Sequence, residues 1–269
     1  MKHIGKSYDK VDAKGILSGK PSYTGDFVPK DALIIKVLRS PHAQAKIKSI
    51  DTSKAKLIPG VEAIFTYEDV PNTRFTLAGQ TYPEPSAYDA LILDSVVRYV
   101  GDEVALVVAK DEATALKAMP LIKVEYEVQK PVLDLRTAMD HETVVHPEDD
   151  ILNHIPVGQD YKRNICVSYH KRVGDIEGEL AKCDYVVEGT YFDQATRQSA
   201  MEPFQSFGYI DHLGRIVIVS STQIVFHVRR HIARALGIPA SKIRVIKPRI
   251  GGGFGSKQTA CTELMTAFV

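Results

Sequence analysis

The chain has 269 residues, room for about two domains of ordinary size, and its 44% hydrophobic and 25% charged residues are the balance of a globular protein. A net charge of +1 argues against a dedicated nucleic-acid binder, and no window approaches the roughly 18 uninterrupted apolar residues of a membrane span. The opening residues lack the apolar core of a secretory signal, and Cys166, Cys183 and Cys261 form no CxxC, iron–sulfur or zinc pattern, so the expectation is reduced thiols in a cytoplasmic protein.

Residues 11–128 alternate short strands with short helices. Residues 32–38 read as a buried strand ended by Arg39-Ser40-Pro41-His42, residues 63–66 as a second and residues 104–109 as a third. Asp111 is placed to cap a helix reaching Met119, with Glu112 in the first turn, where the helix dipole favours an acid. Residues 123–128 alternate perfectly, as in a strand with one wet face. From 129 to 164 periodicity fades among Pro131, Pro147 and Pro156, which suits a connector better than the inside of a compact domain. Beyond it strands are expected over 165–171, 185–192, 206–211 and 215–220.

Two strand–loop–helix units follow. In the first, residues 216–219 lead into Ser221-Thr222-Gln223 and a helix reaching Leu236, lined by Ile224, Val228, Ile232 and Leu236 at i+4 spacing. Ser221 or Thr222 is placed to cap it, and Gly237 with Pro239 to stop it. In the second, residues 242–247 alternate like a half-buried strand and run into Arg249-Ile250-Gly251-Gly252-Gly253-Phe254-Gly255-Ser256-Lys257-Gln258. A helix over 259–269 is expected next, with Cys261, Leu264, Met265 and Phe268 on one face. If the two strands are neighbours, Gln223 and the glycine loop share the sheet edge where ligands sit in α/β sheets.

The glycine run reads either as a cradle of N–H donors for an anionic ligand or as a mobile turn. It is neither GxGxxG with an acidic partner nor GxxxxGK[ST]. Taken alone, Gln223 reads as a capping residue, with two donors and one acceptor. His227 and His231 have the spacing of a metal pair, but Arg229, Arg230 and Arg234 would repel a cation, so a solvated helix face is the better reading. Those arginines, with Lys242, Arg244, Lys247 and Arg249, are a scattered basic surface or contacts to an acidic partner or anionic cofactor. Glu202, held extended before Pro203, is a solvated loop acid or a ligand-orienting carboxylate. No Ser/His/Asp or Cys/His set is evident.

Seven stretches taken in order resemble the molybdenum-binding subunit of the xanthine dehydrogenase and aldehyde oxidase family, above all its bacterial xanthine dehydrogenases. They are Gly19-Lys20-Pro21-Ser22-Tyr23-Thr24-Gly25-Asp26, Arg39-Ser40-Pro41-His42-Ala43, residues 65–71, residues 99–105, Met201-Glu202-Pro203, Ser221-Thr222-Gln223 and the glycine loop. The resemblance implies an α+β fold: an α/β-hammerhead domain over residues 1–130, a connector over 131–163, and the first part of a molybdenum-cofactor-binding domain over 164–269. It implies a molybdopterin cofactor whose molybdenum carries oxo, hydroxo and sulfido or selenido ligands, with [2Fe–2S] clusters and FAD on partner subunits. The reaction implied is hydroxylation of xanthine or hypoxanthine with water as oxygen source. Nicotinate, another N-heterocycle or an aldehyde is the alternative within the family, and a non-catalytic assembly or cofactor-holding module the alternative outside it.

By matching position, the resemblance puts Gln223 near a molybdenum oxygen ligand and Gly252, Gly253, Phe254 and Gly255 along the cofactor, with no side chain ligating the metal directly. Glu202 and Gln258 fall on the substrate side; Gln258 stands where many members have a glutamate that contacts the purine. The family's general base lies beyond this sequence, so the remaining part of the molybdenum domain is an expected partner. The chain alone is expected to be inactive and to leave an apolar face of Leu264, Met265 and Phe268 uncovered.

Overall fold

The structure, a computed structural model, describes residues 3–77 and 81–269; Met1 and Lys2 of the opening segment lie outside them. The elements run α1 (Ala13–Leu17), β1 (Ile34–Arg39), β2 (Ala45–Asp51), β3 (Val61–Phe65), β4 (Val96–Val97), β5 (Glu103–Ala109), α2 (Glu112–Ala118), β6 (Lys123–Val128), α3 (Ile176–Leu180), β7 (Ser206–Ile210), β8 (Ile216–Ser220), α4 (Val225–Leu236), β9 (Ile243–Ile246) and α5 (Glu263–Phe268). Two antiparallel sheets, ordered β1-β5-β3 and β4-β2-β6, build the N-terminal half, and β7-β8-β9 builds the C-terminal half.

β5 is the centre of the first half. Ala105, Val107 and Ala109 pack under Ala115 and Ala118 of α2, Val104 packs with Ala45 and Val97, and Leu106 reaches the core of the other half. A strand covered on both faces has no wet side, which is why it reads as an unbroken apolar run. α2 starts where the Asp111 carboxylate accepts the Thr114 N–H at 2.7 Å, the expected cap. β6 alternates exposed and half-buried residues, also as expected. β2 is not among the strands expected from periodicity. It pairs with β6 from Ala45 opposite Val128 to Asp51 opposite Lys123 and buries only Ala45 and Ile47, which alternate with exposed Lys46 and Lys48.

Residues 129–164 carry two single-turn 3₁₀ helices and, at Leu152 and Asp160, isolated bridges. They are tied to the first half by Arg98, which donates to the Val145 carbonyl, to Asp94 at 2.8 Å and to Glu148. The strands expected over 165–171 and 185–192 do not form; the one bridge there is isolated, Asp160 to Ile165. Tyr185, Val187, Tyr191 and Phe192 are each at least 90% exposed. Apolar residues can propose a strand, but a ladder needs a second edge to take the backbone N–H and C=O groups, and the described residues provide none.

In the C-terminal half, β7 and β8 form a hairpin closed by Asp211, whose carboxylate accepts the Leu213 and Arg215 N–H groups. β8 and β9 are parallel, a pairing that needs a crossover, and α4 supplies it. α4 buries Val228 and Ile232 completely, the middle of the predicted i+4 line whose ends Ile224 and Leu236 are half-buried, together with Ala235 beside it, and stops at Gly237 in the left-handed region (φ 65°). The expected cap is corrected in detail: the Thr222 hydroxyl accepts the Ile224 N–H at 3.1 Å, one residue ahead of the helix.

Three further expectations are corrected. The final helix covers only Glu263–Phe268, because residues 259–262 turn around the Glu263 carboxylate, which accepts the Cys261 and Thr262 N–H groups. Its apolar face is covered. Leu264 and Met265 are buried and Phe268 meets Phe65 edge-on at 5.1 Å, since one core cluster runs from Phe75, Ile92 and Leu106 through Ile218, Ile232 and Leu264. Nor is the polar side of α4 a solvated face. His231 is buried, Arg230 pairs with buried Glu84 at 2.7 Å and stacks over Tyr82, and Arg234 donates to the Arg74 carbonyl and lies over Tyr88. Arg74 and residues 81–88 dock on these cations, so the arginines join the two halves.

Candidate active site

Because β8 and β9 run in parallel, the segments that follow them leave at the same edge of the sheet. Ser221-Thr222-Gln223 leads from β8 into α4, and residues 247–258 lead from β9 toward α5. The two segments touch. The Gln223 N–H donates to the Lys257 carbonyl at 2.9 Å, and the Thr222 hydroxyl reaches the same oxygen at 3.5 Å. A Cβ added to Gly253 would meet the Gln223 Oε1 at 2.5 Å and Cδ at 2.6 Å. Glycine is required here by close approach rather than by backbone angle. At the next positions the reason changes: Gly252 (φ 102°), Phe254 (φ 51°) and Gly255 (φ 86°) all lie in the left-handed region. A side chain at Gly255 would meet only open space, and Phe254 is 72% exposed, so this rim of the loop is its open side.

Glu202 arrives from the segment before β7. It is 8% exposed, which overturns its reading as a solvated acid. Its Oε2 accepts the Gly251 N–H at 2.7 Å and the Lys257 ammonium at 2.9 Å, and its Oε1 accepts the Gln205 amide at 3.0 Å. Its own N–H donates to the Gly251 carbonyl at 3.0 Å. Burial alone would push this carboxyl up. The Gly251 N–H, the Lys257 ammonium and the Gln205 amide outweigh it and hold the group below the usual carboxylate range, so it is ionised at neutral pH.

The edge therefore gathers Gln223, Glu202 and Gly251 to Gly255. Gln258 sits at the end of the same turn, its N–H donating to the Gly255 carbonyl at 3.1 Å. Gln223 Oε1 is buried and accepts no hydrogen bond from the described residues. A buried polar atom without a partner is costly, and a polar ligand is one way to satisfy it. Among the described residues no group of three His, Cys, Asp or Glu could hold a metal ion. His227 is kept below its usual pKa by burial and then by the Arg230 charge. Lys257 is the residue that sequence reasoning missed, although a single lysine between a glycine loop and an apolar helix, with a Glu-Pro upstream, was a readable sign of a buried pair.

Two family models match the chain in succession: the aldehyde oxidase and xanthine dehydrogenase a/b hammerhead domain over residues 18–130, and the molybdopterin cofactor-binding domain over 157–269. The "Probable hypoxanthine oxidase XdhD" of Escherichia coli (strain K12) is 40% identical over 98% of this chain and 30% of its own length. The xanthine dehydrogenase molybdenum-binding subunit of Escherichia coli O157:H7 is 36% identical over 97% of this chain and 33% of its own. Among solved structures, the aldehyde oxidoreductase from Desulfovibrio gigas superposes with a TM-score of 0.80 at 26% identity, covering 98% of this chain and 29% of that one.

The chain thus spans about a third of the length of the relatives it matches. The residues at the edge fit a molybdopterin-type group: an amide with donors and an unused buried acceptor, facing glycines that leave main chain accessible on an open rim. No helix among the described residues is long and apolar enough to cross a membrane. The fold, the order of its two domains and the composition of this edge agree, and the chain belongs to the aldehyde oxidase and xanthine dehydrogenase family.

Proposed function

We propose that this chain forms the hammerhead and the first part of the cofactor domain in the large subunit of a cytoplasmic molybdenum hydroxylase acting on hypoxanthine or xanthine. The observation that carries the reading is the packing of the Gln223 amide onto Gly253 at the shared edge of β8 and β9. Relatives named for hypoxanthine and xanthine at 40% and 36% identity support the substrate class.

When bound, the molybdopterin supplies a molybdenum centre that accepts two electrons from the substrate carbon. The protein's part is orientation. Gln223, whose main-chain N–H is held by the Lys257 carbonyl, would present its amide to the bound group. Gly252, Gly253, Phe254 and Gly255 give the cofactor a close backbone surface, and Glu202 anchors the start of that loop through Gly251. Gln258 stands on the substrate side, where a neutral amide reads a purine edge with donors and an acceptor whatever the pH. The general base would come from the remaining molybdenum-domain segment, and partner subunits carrying [2Fe–2S] and FAD would supply the onward electron acceptors.

The test uses the assembled enzyme. Gln223→Ala should retain the fold and lower kcat by roughly 10²-fold, the scale of one lost donor to a developing charge. Gln258→Ala should lower kcat/KM for xanthine by about ten- to a hundredfold while sparing a simple aldehyde. Wild-type kinetics in both variants would overturn the proposal.

A further inference from the structure

We infer that the buried pair of Lys257 and Glu202 positions Gln223 over the glycine loop, an inference that rests on reading this edge as the cofactor site. Lysine and glutamate are almost never fully buried unless paired. Here the two side chains are 1% and 7% accessible. A buried ion pair adds little net stability, because desolvating both ions offsets their attraction, and packed apolar residues often replace it without loss. What such a pair does provide is geometry, since every remaining hydrogen bond of each ion has to be met by groups at fixed places.

Those groups belong to three separate segments. Glu202 takes the Gly251 N–H and the Gln205 amide as well as the ammonium. Lys257, through its carbonyl, takes the Gln223 N–H and the Thr222 hydroxyl. One residue thus holds Glu202 with its side chain and Gln223 with its main chain. The loop between has no slack on either side: a Cβ at Gly251 would come within 2.7 Å of the Glu202 Cβ, and one at Gly253 within 2.5 Å of the Gln223 Oε1. If the ammonium is lost, Glu202 becomes an unpaired buried anion. Its relaxation toward solvent then drags Gly251, while the Lys257 carbonyl no longer has a fixed height beneath Gln223. Both Gln223 and the loop shift. Neither residue touches the reacting atoms; the pair is a positioning element.

Hydrogen exchange with mass spectrometry on the complete native protein tests this, with and without cofactor, beside molybdenum content per chain. Lys257→Met should speed amide exchange at Gln223 and over residues 251–257 by about tenfold or more in the cofactor-free protein, leaving β8 at Ile218 as protected as before. The neutral double variant Glu202→Gln/Lys257→Met should recover Tm but not the protection of the loop. Glu202→Gln, which keeps the side-chain shape and an acceptor for Gly251, gives the same reading if Lys257→Met does not fold. Wild-type exchange at Gln223 and the loop in the single variant, or full recovery of loop protection in the double variant, overturns the positioning role. Faster exchange with unchanged molybdenum content leaves the positioning role standing and instead overturns the cofactor reading of this edge.

Discussion

Residues 216–236 and residues 185–192 are made of similar material, yet one is the rigid floor of the site and the other an exposed thread. Ile216 to Val219 and Tyr185 to Phe192 both carry runs of β-branched and aromatic residues. β8 has β7 on one side and β9 on the other, with α4 over it, and Val217 and Ile218 are completely buried. Tyr185, Val187, Tyr191 and Phe192 have solvent instead. The difference lies outside either segment. A residue becomes structural when neighbours from distant sequence close over it, so identical chemistry has opposite energetic weight in the two places.

The largest effect should come from the closed region. Ile232 is wholly buried in the cluster that joins the two halves. Ile232→Ala should cost about 2–5 kcal/mol, the lost transfer energy plus the cavity left behind. Chemical denaturation at constant m-value measures it. A loss under about 1 kcal/mol would mean that the two halves do not share a core.

Gly253→Ala sharpens the comparison within the site. Its Cβ would overlap Gln223 Oε1 and Cδ, so the expected cost is that of overpacking, about 1–3 kcal/mol, with displacement of the Gln223 amide and reduced molybdenum content. Gly255→Ala meets open space but lies at φ 86°, so it should cost about 1 kcal/mol by backbone strain alone and leave Gln223 in place. Equal losses of molybdenum in the two variants would show that contact with Gln223 is not what makes Gly253 a glycine.

Much of this arrangement was legible in sequence because its signals are local. The i+4 line of Val228 and Ile232, the Gly237 stop, the Asp111 cap and the unbroken apolar run of β5 each depend on a few consecutive residues. The meeting of Gln223 with the glycine loop was legible through topology, as a consequence of two neighbouring strands pointing the same way. What could not be read was settled between distant segments. The Lys257–Glu202 pair joins residues 55 positions apart, and the Arg230–Glu84 pair residues 146 apart. The cover over Leu264 and Met265 comes from Phe65, Phe75, Ile92, Leu93 and Leu106. The missing strand over 185–192 is the same lesson reversed: its pattern is local and correct, and its partner is absent among the described residues.

An acid titration separates the connector from the core. Burial pushes the Glu148 carboxyl up, but His146 at 3.7 Å and Arg98 in direct contact pull it down to about 2. The 3.7 Å separation is too long for a hydrogen bond, so the Arg98 contact is the stronger hold. A folded value below that of a free glutamate means the contribution is whole above about pH 4.5 and is lost as pH falls toward about 2. Exchange protection over 129–164 should therefore fall across that window before β5 opens, and Glu148→Gln should flatten the dependence. Simultaneous loss in the connector and β5 would show that Arg98 does not hold the connector as a separable unit.

The smallest effect should come from the exposed thread, and it is the most direct way to break the comparison. Tyr191 is 93% exposed, and a substitution there removes almost no buried area. With about 25 cal/mol for each Å² of apolar surface removed from water, a side chain that stays in water contributes next to nothing. Tyr191→Ser should accordingly change the stability of this chain by less than about 0.5 kcal/mol, the ordinary range for surface positions. The same substitution in the assembled enzyme reports on what surrounds the thread there. An unchanged Tm in both settings keeps Tyr191 in solvent throughout; a loss of several degrees in the assembly alone would mean that the apolar residues over 185–192 find their second edge on a partner segment. A loss of more than 1 kcal/mol in the chain by itself would overturn the distinction, because it would require Tyr191 to be packed where the structure has it open to water.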